Sequence, residues 1–197
     1  MGPLTSTTEP EWHADWAASR VHWPDLFADH AGKPGLRFLE IGVFEGASAW
    51  WTLTHVLTDA SSRLDLIDPI EFTEIHDEPQ LARIERHLAP WLENGQARLH
   101  QGRSGDVLRD AGRWRPEMFD VVYIDGDHFP AGVITDAVLT WPLVKPGGLV
   151  LFDDYIPELG GHPGPRPAID CFAEWYARWI RDARPVGPDQ YLITKDR

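Results

Sequence analysis

FDVVYIDGDHFPAGVITDAVLTWPLVKPGGLVLFDDY, residues 119–155, decides the fold. Two short apolar runs, 121–124 and 149–152, are rich in β-branched side chains and too short for helices, so they read as buried parallel strands. Residues 131–141 between them have helical length, and Lys145-Pro146-Gly147-Gly148 makes a turn into the second run. That is a βαβ unit. Each run ends in acids: Asp125 and Asp127 after the first, Asp153 and Asp154 after the second. Open α/β sheets take ligands beyond the carboxyl ends of their strands, so four acidic side chains are expected at one mouth.

Upstream, residues 36–43 (LRFLEIGV) read as the first strand. Gly42-Val43-Phe44-Glu45-Gly46-Ala47-Ser48 then leads into a helix over 49–57. Strand, glycine turn and helix form a nucleotide-type binding loop, in which glycines let the backbone approach a ligand. The pattern is E-x-G-x-x-x-G with no following Gly-Lys-Ser/Thr, which excludes a P-loop. Glu40 and Glu45 would repel a pyrophosphate by roughly 1 kcal/mol or more each and would welcome a cation. The second strand, 61–68, ends at Asp68, where doubly wound folds place the acid that binds ribose hydroxyls. An amphipathic helix over 80–91, a third strand over 96–100, a loop holding Ser104 and a short helix over 107–111 complete this half.

Beyond the deciding stretch, 156–168 is a Gly/Pro-rich loop. Residues 169–181 read as a helix with Phe172, Trp175, Tyr176 and Trp179 on its buried side, and 183–186 and 190–195 as two closing strands. The first 32 residues form a helical extension whose Trp12, Trp16, Trp23 and Phe27 are expected to pack on the sheet, with a helix break near Trp23. The whole, 1–197, reads as one domain.

Bulk properties narrow the partners. The formal net charge is −13, and no basic run or stripe is visible along the chain, so neither nucleic acid nor an anionic membrane is expected as partner. Cys171 is the single cysteine, no apolar run approaches the ~20 residues of a membrane span, and no secretory leader is seen. A cytoplasmic setting is the expectation, and a homo-oligomer stays open.

LEIGVFEGAS, the strand ending in Asp68, IDGDH and FDDY together resemble a class I S-adenosylmethionine-dependent methyltransferase, and more narrowly the small relatives of macrocin-type sugar O-methyltransferases. Catechol-type enzymes are more distant. The resemblance covers residues 36–155 and, more loosely, the last strands. It implies a seven-stranded α/β sheet of order 3-2-1-4-5-7-6 with the seventh strand antiparallel. It implies S-adenosylmethionine bound by Glu40, Gly42, Gly46 and Ser48 of the first loop, by Asp68 at ribose, by Ser104 near adenine, and beside Asp125. It implies that Asp125, Asp153 and Asp154 hold Mg²⁺ or Mn²⁺, and that Asp127 is the general base. Catechol-type enzymes have Asn where Asp154 stands, and the longer N-terminal regions of the sugar enzymes have no counterpart here.

The residues suit that chemistry. Methyl transfer from a sulfonium needs an aligned, preferably deprotonated acceptor. A hard cation on carboxylate oxygens lowers a hydroxyl's pKa, and no Cys cluster or His pair suggests zinc instead. His128, next to Asp127, can share the proton-transfer role. The leading expectation is metal-assisted O-methylation of a small hydroxylated molecule such as a sugar, polyketide or catechol-like compound. Three alternatives stay open: a metal-independent methyltransferase acting on O or N with Asp127 or His128 as base, an NAD-type oxidoreductase, and a non-catalytic cofactor-binding module.

Overall fold

Five strands lie side by side in parallel: β1 (Arg37–Ile41), β2 (Arg63–Asp68), β3 (Ala97–Gln101), β4 (Phe119–Ile124) and β5 (Val144–Phe152). The computed structural model describes residues 8–13, 18–71, 78–110 and 112–196. Strands β1, β2 and β4 are buried along nearly their whole length, because helices cover both faces of the sheet. Alternation along each strand divides the core. Phe38, Leu64 and Leu66 pack on one side with α2 (Ala47–His55) and α3 (Gln80–Glu93). Leu39, Ile41, Val122 and Ile124 pack on the other with α4 (Ser104–Leu108), α5 (Pro130–Thr140) and α6 (Arg166–Tyr176).

A small hairpin, β6 (Glu158–Leu159) and β7 (His162–Pro163), turns through Gly160 and Gly161, both at positive φ, as a two-residue hairpin turn requires. It lies within the stretch read from sequence as plain loop. The antiparallel pair β8 (Ile180–Val186) and β9 (Gln190–Lys195) completes the main sheet, whose order is β3-β2-β1-β4-β5-β9-β8. Counted within that sheet, this is the expected 3-2-1-4-5-7-6 arrangement, with β9 antiparallel to β5. Strand order reverses between β1 and β4, so their carboxyl ends open a crevice.

Some expectations shift. The turn at 145–148 is an irregularity inside β5, with Gly147 at φ 77° and a slip of register against β4. Helix α4 starts at Ser104, three residues before the expected start at 107. Helix α6 runs earlier than expected and yields at Ala177 to a 3-10 turn and β8. Its buried face is Ala168, Ile169 and Phe172, spaced as one helical stripe, with Tyr176 stacked on Phe172. Trp175 falls off that stripe and is 67% exposed, and Trp179 is also exposed, which corrects their expected burial. At the N-terminus a 3-10 turn (Ala18–His22) runs into α1 (Trp23–Leu26). Trp23 and Phe27 are buried, and Trp12 packs edge-on against Trp50 and His87. Trp16 lies outside the described residues.

Candidate active site

The first wall is the loop after β1. Gly42 has φ 86°, and a Cβ there would sit 2.0 Å from the Asp125 carbonyl oxygen. The loops after β1 and β4 therefore touch backbone to backbone, which only glycine permits. Gly46, at φ 90°, sets the start of α2. Glu40 is buried at the end of β1 and accepts a 2.5 Å hydrogen bond from the Ser48 hydroxyl. Burial pushes its carboxyl up to about 8, Ser48 opposes this, and Asp68 adds to it.

Glu45 does not serve the mouth as a free charge. It is buried, and Oε2 accepts from Arg83 Nε and Nη2 at 3.1 and 2.7 Å, while Oε1 accepts from the His13 backbone N–H. The cation that its position called for is Arg83, from α3. Asp68 is equally engaged. Its Oδ2 accepts from the Val43 and Phe44 N–H groups at 2.8 and 3.1 Å, and Oδ1 from the Ile70 N–H at 2.7 Å and the Gln80 amide at 3.2 Å. One carboxylate thus shapes the glycine loop from behind. Ser104 opens α4 beside the buried Asp136, whose carboxyl burial raises to about 6 and the nearby serine moderates.

The acid mouth lies at the ends of β4 and β5. Tyr123 and Asp125 are two apart on a strand and share a face. The buried Tyr123 hydroxyl donates to Asp153 Oδ2 at 2.6 Å and lies 3.1 Å from Asp125 Oδ2. Burial, then Asp153 and Asp154, drives the Asp125 carboxyl well above its usual range. Burial raises Asp153 to about 6, Tyr123 opposes this, and Asp154 adds to it. The β ladder continues through Asp153, whose N–H donates to the Ile124 carbonyl at 3.0 Å, and the chain turns at Asp154, φ 51°. That left-handed residue swings its carboxylate to His128, Nδ1 to Oδ2 2.7 Å. The Asp154 hydrogen bond raises the His128 pKa against the effect of burial.

Asp125, His128 and Asp154 each offer a ligand atom within 4.8 Å of the others. Asp153 stands beside them with Oδ1 buried and, among the described residues, without a hydrogen bond. Gln190 lies close enough to lower the Asp153 pKa, yet its amide makes no bond of ordinary geometry to it. Crowded acids with raised pKa values and a buried unsatisfied oxygen fit a divalent cation. Asp127 lies at the start of α5. Its Oδ1 accepts from the Phe129 N–H at 2.8 Å, and it packs so closely on Gly132 that a Cβ there would overlap Oδ2. It is placed as a turn cap.

Residue-by-residue reading missed Tyr123, Arg83, Gln190 and Asp136. Two-residue alternation next to Asp125 would have found Tyr123. The others reach the site only through tertiary contact: Gln190 because β9 sets it one step past the Phe152–Tyr191 pair, opposite Asp153, with Trp23 Nε1 donating to its Oε1 at 3.0 Å.

An α/β sheet of this order, with a glycine loop after β1, an acid after β2 and acids after β4 and β5, defines the class I methyltransferase fold. The chain belongs to the methyltransferase-domain family, matching it over residues 39–155. No curated protein sequence matches it. Among solved structures it resembles the MycE methyltransferase of the mycinamycin biosynthetic pathway in complex with Mg, SAH and mycinamycin VI, at TM-score 0.62 and 22% identity over 90% of this chain. The chain spans about half of MycE, 49% of its length. It also resembles the O-methyltransferase TomG from Streptomyces achromogenes, involved in tomaymycin synthesis and solved with SAM, at TM-score 0.67 and 19% identity over 93% of this chain and 82% of that one. An O-methyltransferase from Bacillus cereus in complex with SAH gives TM-score 0.66 and 16% identity over 96% and 84%.

Proposed function

We propose that this chain transfers the methyl group of S-adenosylmethionine to a hydroxyl of a small molecule, with a divalent cation at the acid mouth. The observation that carries it is the crowding of Asp153 and Asp154 on Asp125 beside the glycine loop, where β1 and β4 run side by side, with Asp125, Asp154 and His128 offering ligand atoms within 4.8 Å of one another. The named relatives in complex with SAM or SAH, one also with Mg, support the reading. When bound, the sulfonium would supply the methyl group and the cation would acidify and position the acceptor hydroxyl.

The chain's own residues would do the rest. Glu40 and Ser48 face the cationic methionine part, with Gly42 and Gly46 giving the backbone access. Asp68 holds the loop and would accept from ribose in place of the Gln80 amide, its longest bond at 3.2 Å, Ser104 meets the adenine, and Asp125 borders both cofactor and acceptor. Asp125, Asp153 and Asp154 would hold Mg²⁺ or Mn²⁺, with Tyr123 fixing Asp153. Of the two base candidates, His128 has an orienting partner in Asp154, whereas Asp127 has one oxygen engaged at the start of α5.

The His128–Asp154 pair also favours a second reading, a metal-free transferase in which His128 takes the acceptor proton. The test is transfer of labelled methyl from S-adenosylmethionine to a panel of sugars, polyketides and catechols, with Mg²⁺ and with EDTA. Loss of transfer in EDTA and recovery with Mg²⁺ is the expected result. Transfer that EDTA leaves intact selects the His128 reading. Absence of S-adenosylmethionine binding sinks both.

A further inference from the structure

Far from the acid mouth, at the amino ends of the strands, the fold gathers positive charge. Arg37 opens β1, Arg63 opens β2, and Arg98 is the second residue of β3. With Arg113 they line one cleft of about 340 Å³. That size accommodates a small ligand. No basic run marks it in the sequence, because each arginine comes from a different segment of a chain with net charge −13.

Part of this charge is met within the chain: Arg98 stands in register with Asp65, Arg63 Nη1 donates to the Ala60 and Ser62 carbonyls, and Arg113 Nε pairs with Asp110 at 3.3 Å. The rest invites something negative. Register pairs Arg37 directly with Arg63 on neighbouring strands, and like charges so paired repel. Among the described residues, neither the Arg37 nor the Arg98 guanidinium makes a hydrogen bond or ion pair. Asp65 is the one acid among the lining residues, and its Oδ1 is taken by His100 Nε2 at 2.7 Å. His100 Nδ1 in turn lies 2.6 Å from Arg113 Nη1, so it accepts there and Nε2–H donates to Asp65. This chain holds Arg113 at the cleft wall. Asp120, which takes the Arg37 backbone N–H, spends its carboxylate on Lys145.

We propose that this cleft is a second binding site, for a compact polyanion: a phosphoryl or polycarboxylate group of a small molecule. Guanidinium forks match phosphate and carboxylate oxygens two at a time, which makes arginine the suited residue. The site is independent of methyl transfer, since the five residues of β1, at about 3.3 Å each, separate Arg37 from the glycine loop.

The test is calorimetric titration of the full chain, saturated with S-adenosylhomocysteine, using pyrophosphate and, separately, citrate at matched ionic strength. The expected result is saturable binding with one molecule per chain, weakened by about tenfold or more in Arg98→Glu and in Arg37→Gln. S-adenosylhomocysteine affinity should be unchanged in both variants, which shows that they are folded. Tighter pyrophosphate than citrate identifies a phosphoryl ligand, and the reverse a polycarboxylate. No saturable binding of either probe, or undiminished binding in folded Arg98→Glu, overturns the proposal.

Discussion

At the scale of single residues, Glu40 makes the sharpest test. Its carboxyl is pushed from 4.5 to about 8 by burial, so the ligand-free folded chain keeps this proton through neutral pH. From pH 4.5 to about 8 the unfolded chain binds fewer protons at this group than the folded one. Stability of the free protein therefore falls as pH rises across that window, by up to about 5 kcal/mol from this group alone. Glu40→Gln, neutral at every pH, is expected to raise the melting temperature of the free protein near pH 8. A cationic ligand reverses the sign, because it favours the charged carboxylate. S-adenosylmethionine affinity should then rise with pH up to about 8. Titrations in two buffers of different ionisation enthalpy should show proton release, lost in Glu40→Gln. Zero proton release by the native chain would mean that Glu40 does not meet the ligand's charge. Asp68 carries a second prediction. It accepts from two N–H groups of the glycine loop, so Asp68→Ala should weaken S-adenosylhomocysteine binding by roughly 1.5–3 kcal/mol and also lower the urea midpoint. Weaker binding with unchanged stability would leave it a ribose contact only.

At the scale of elements, the contact between the loops that follow β1 and β4 is held by Gly42. A methyl there would meet the Asp125 carbonyl oxygen at 2.0 Å, and the backbone is at φ 86°. Gly42→Ala should cost at least ~2 kcal/mol in urea unfolding and abolish cofactor binding, because neither backbone can withdraw without parting the two strand ends. An unchanged urea midpoint would show that the two loops do not touch. This element pair was legible in the sequence: strand, glycine loop, helix and the βαβ unit follow from local periodicity and turn chemistry. What local reading loses is pairing across the chain. Glu45 looked like a free acid because Arg83 lies on a later helix. Trp179 looked buried because an apolar helix face was extended past the end that β8 imposes, and Trp175 because the stripe of Ala168, Ile169 and Phe172 was drawn too wide. The arginine cleft left no mark along the chain because Arg37, Arg63 and Arg98 stand one to a strand and Arg113 in a turn, brought together by sheet register and by His100.

At the scale of the whole molecule, the question is whether the acid mouth is built around a cation. Asp125 and Asp153 are burdened by burial and by neighbouring acids, so the ligand-free fold carries repulsion that a divalent ion would relieve. A ligand that binds only the folded state stabilises it by RT ln(1 + [L]/Kd), about 2.7 kcal/mol at a hundredfold excess over Kd. Millimolar Mg²⁺ or Mn²⁺ should thus raise the melting temperature at pH 7.5, and matched ionic strength in NaCl should not. Asp153→Asn keeps the shape and removes one charge, so it should lose most of that shift while still binding S-adenosylhomocysteine. His128→Asn separates the two mechanistic readings. If the acids hold a cation, the variant keeps the Mg²⁺-dependent shift, since the ion replaces the imidazolium as the partner of Asp154. If His128 is instead the base of a metal-free reaction, the native chain shows no Mg²⁺ shift, and His128→Asn loses methyl transfer by a factor of about 10²–10⁴ with cofactor affinity unchanged. A thermal shift that survives in Asp125→Asn, Asp153→Asn and Asp154→Asn alike would place the ion elsewhere on this acidic surface and take the metal out of the mouth.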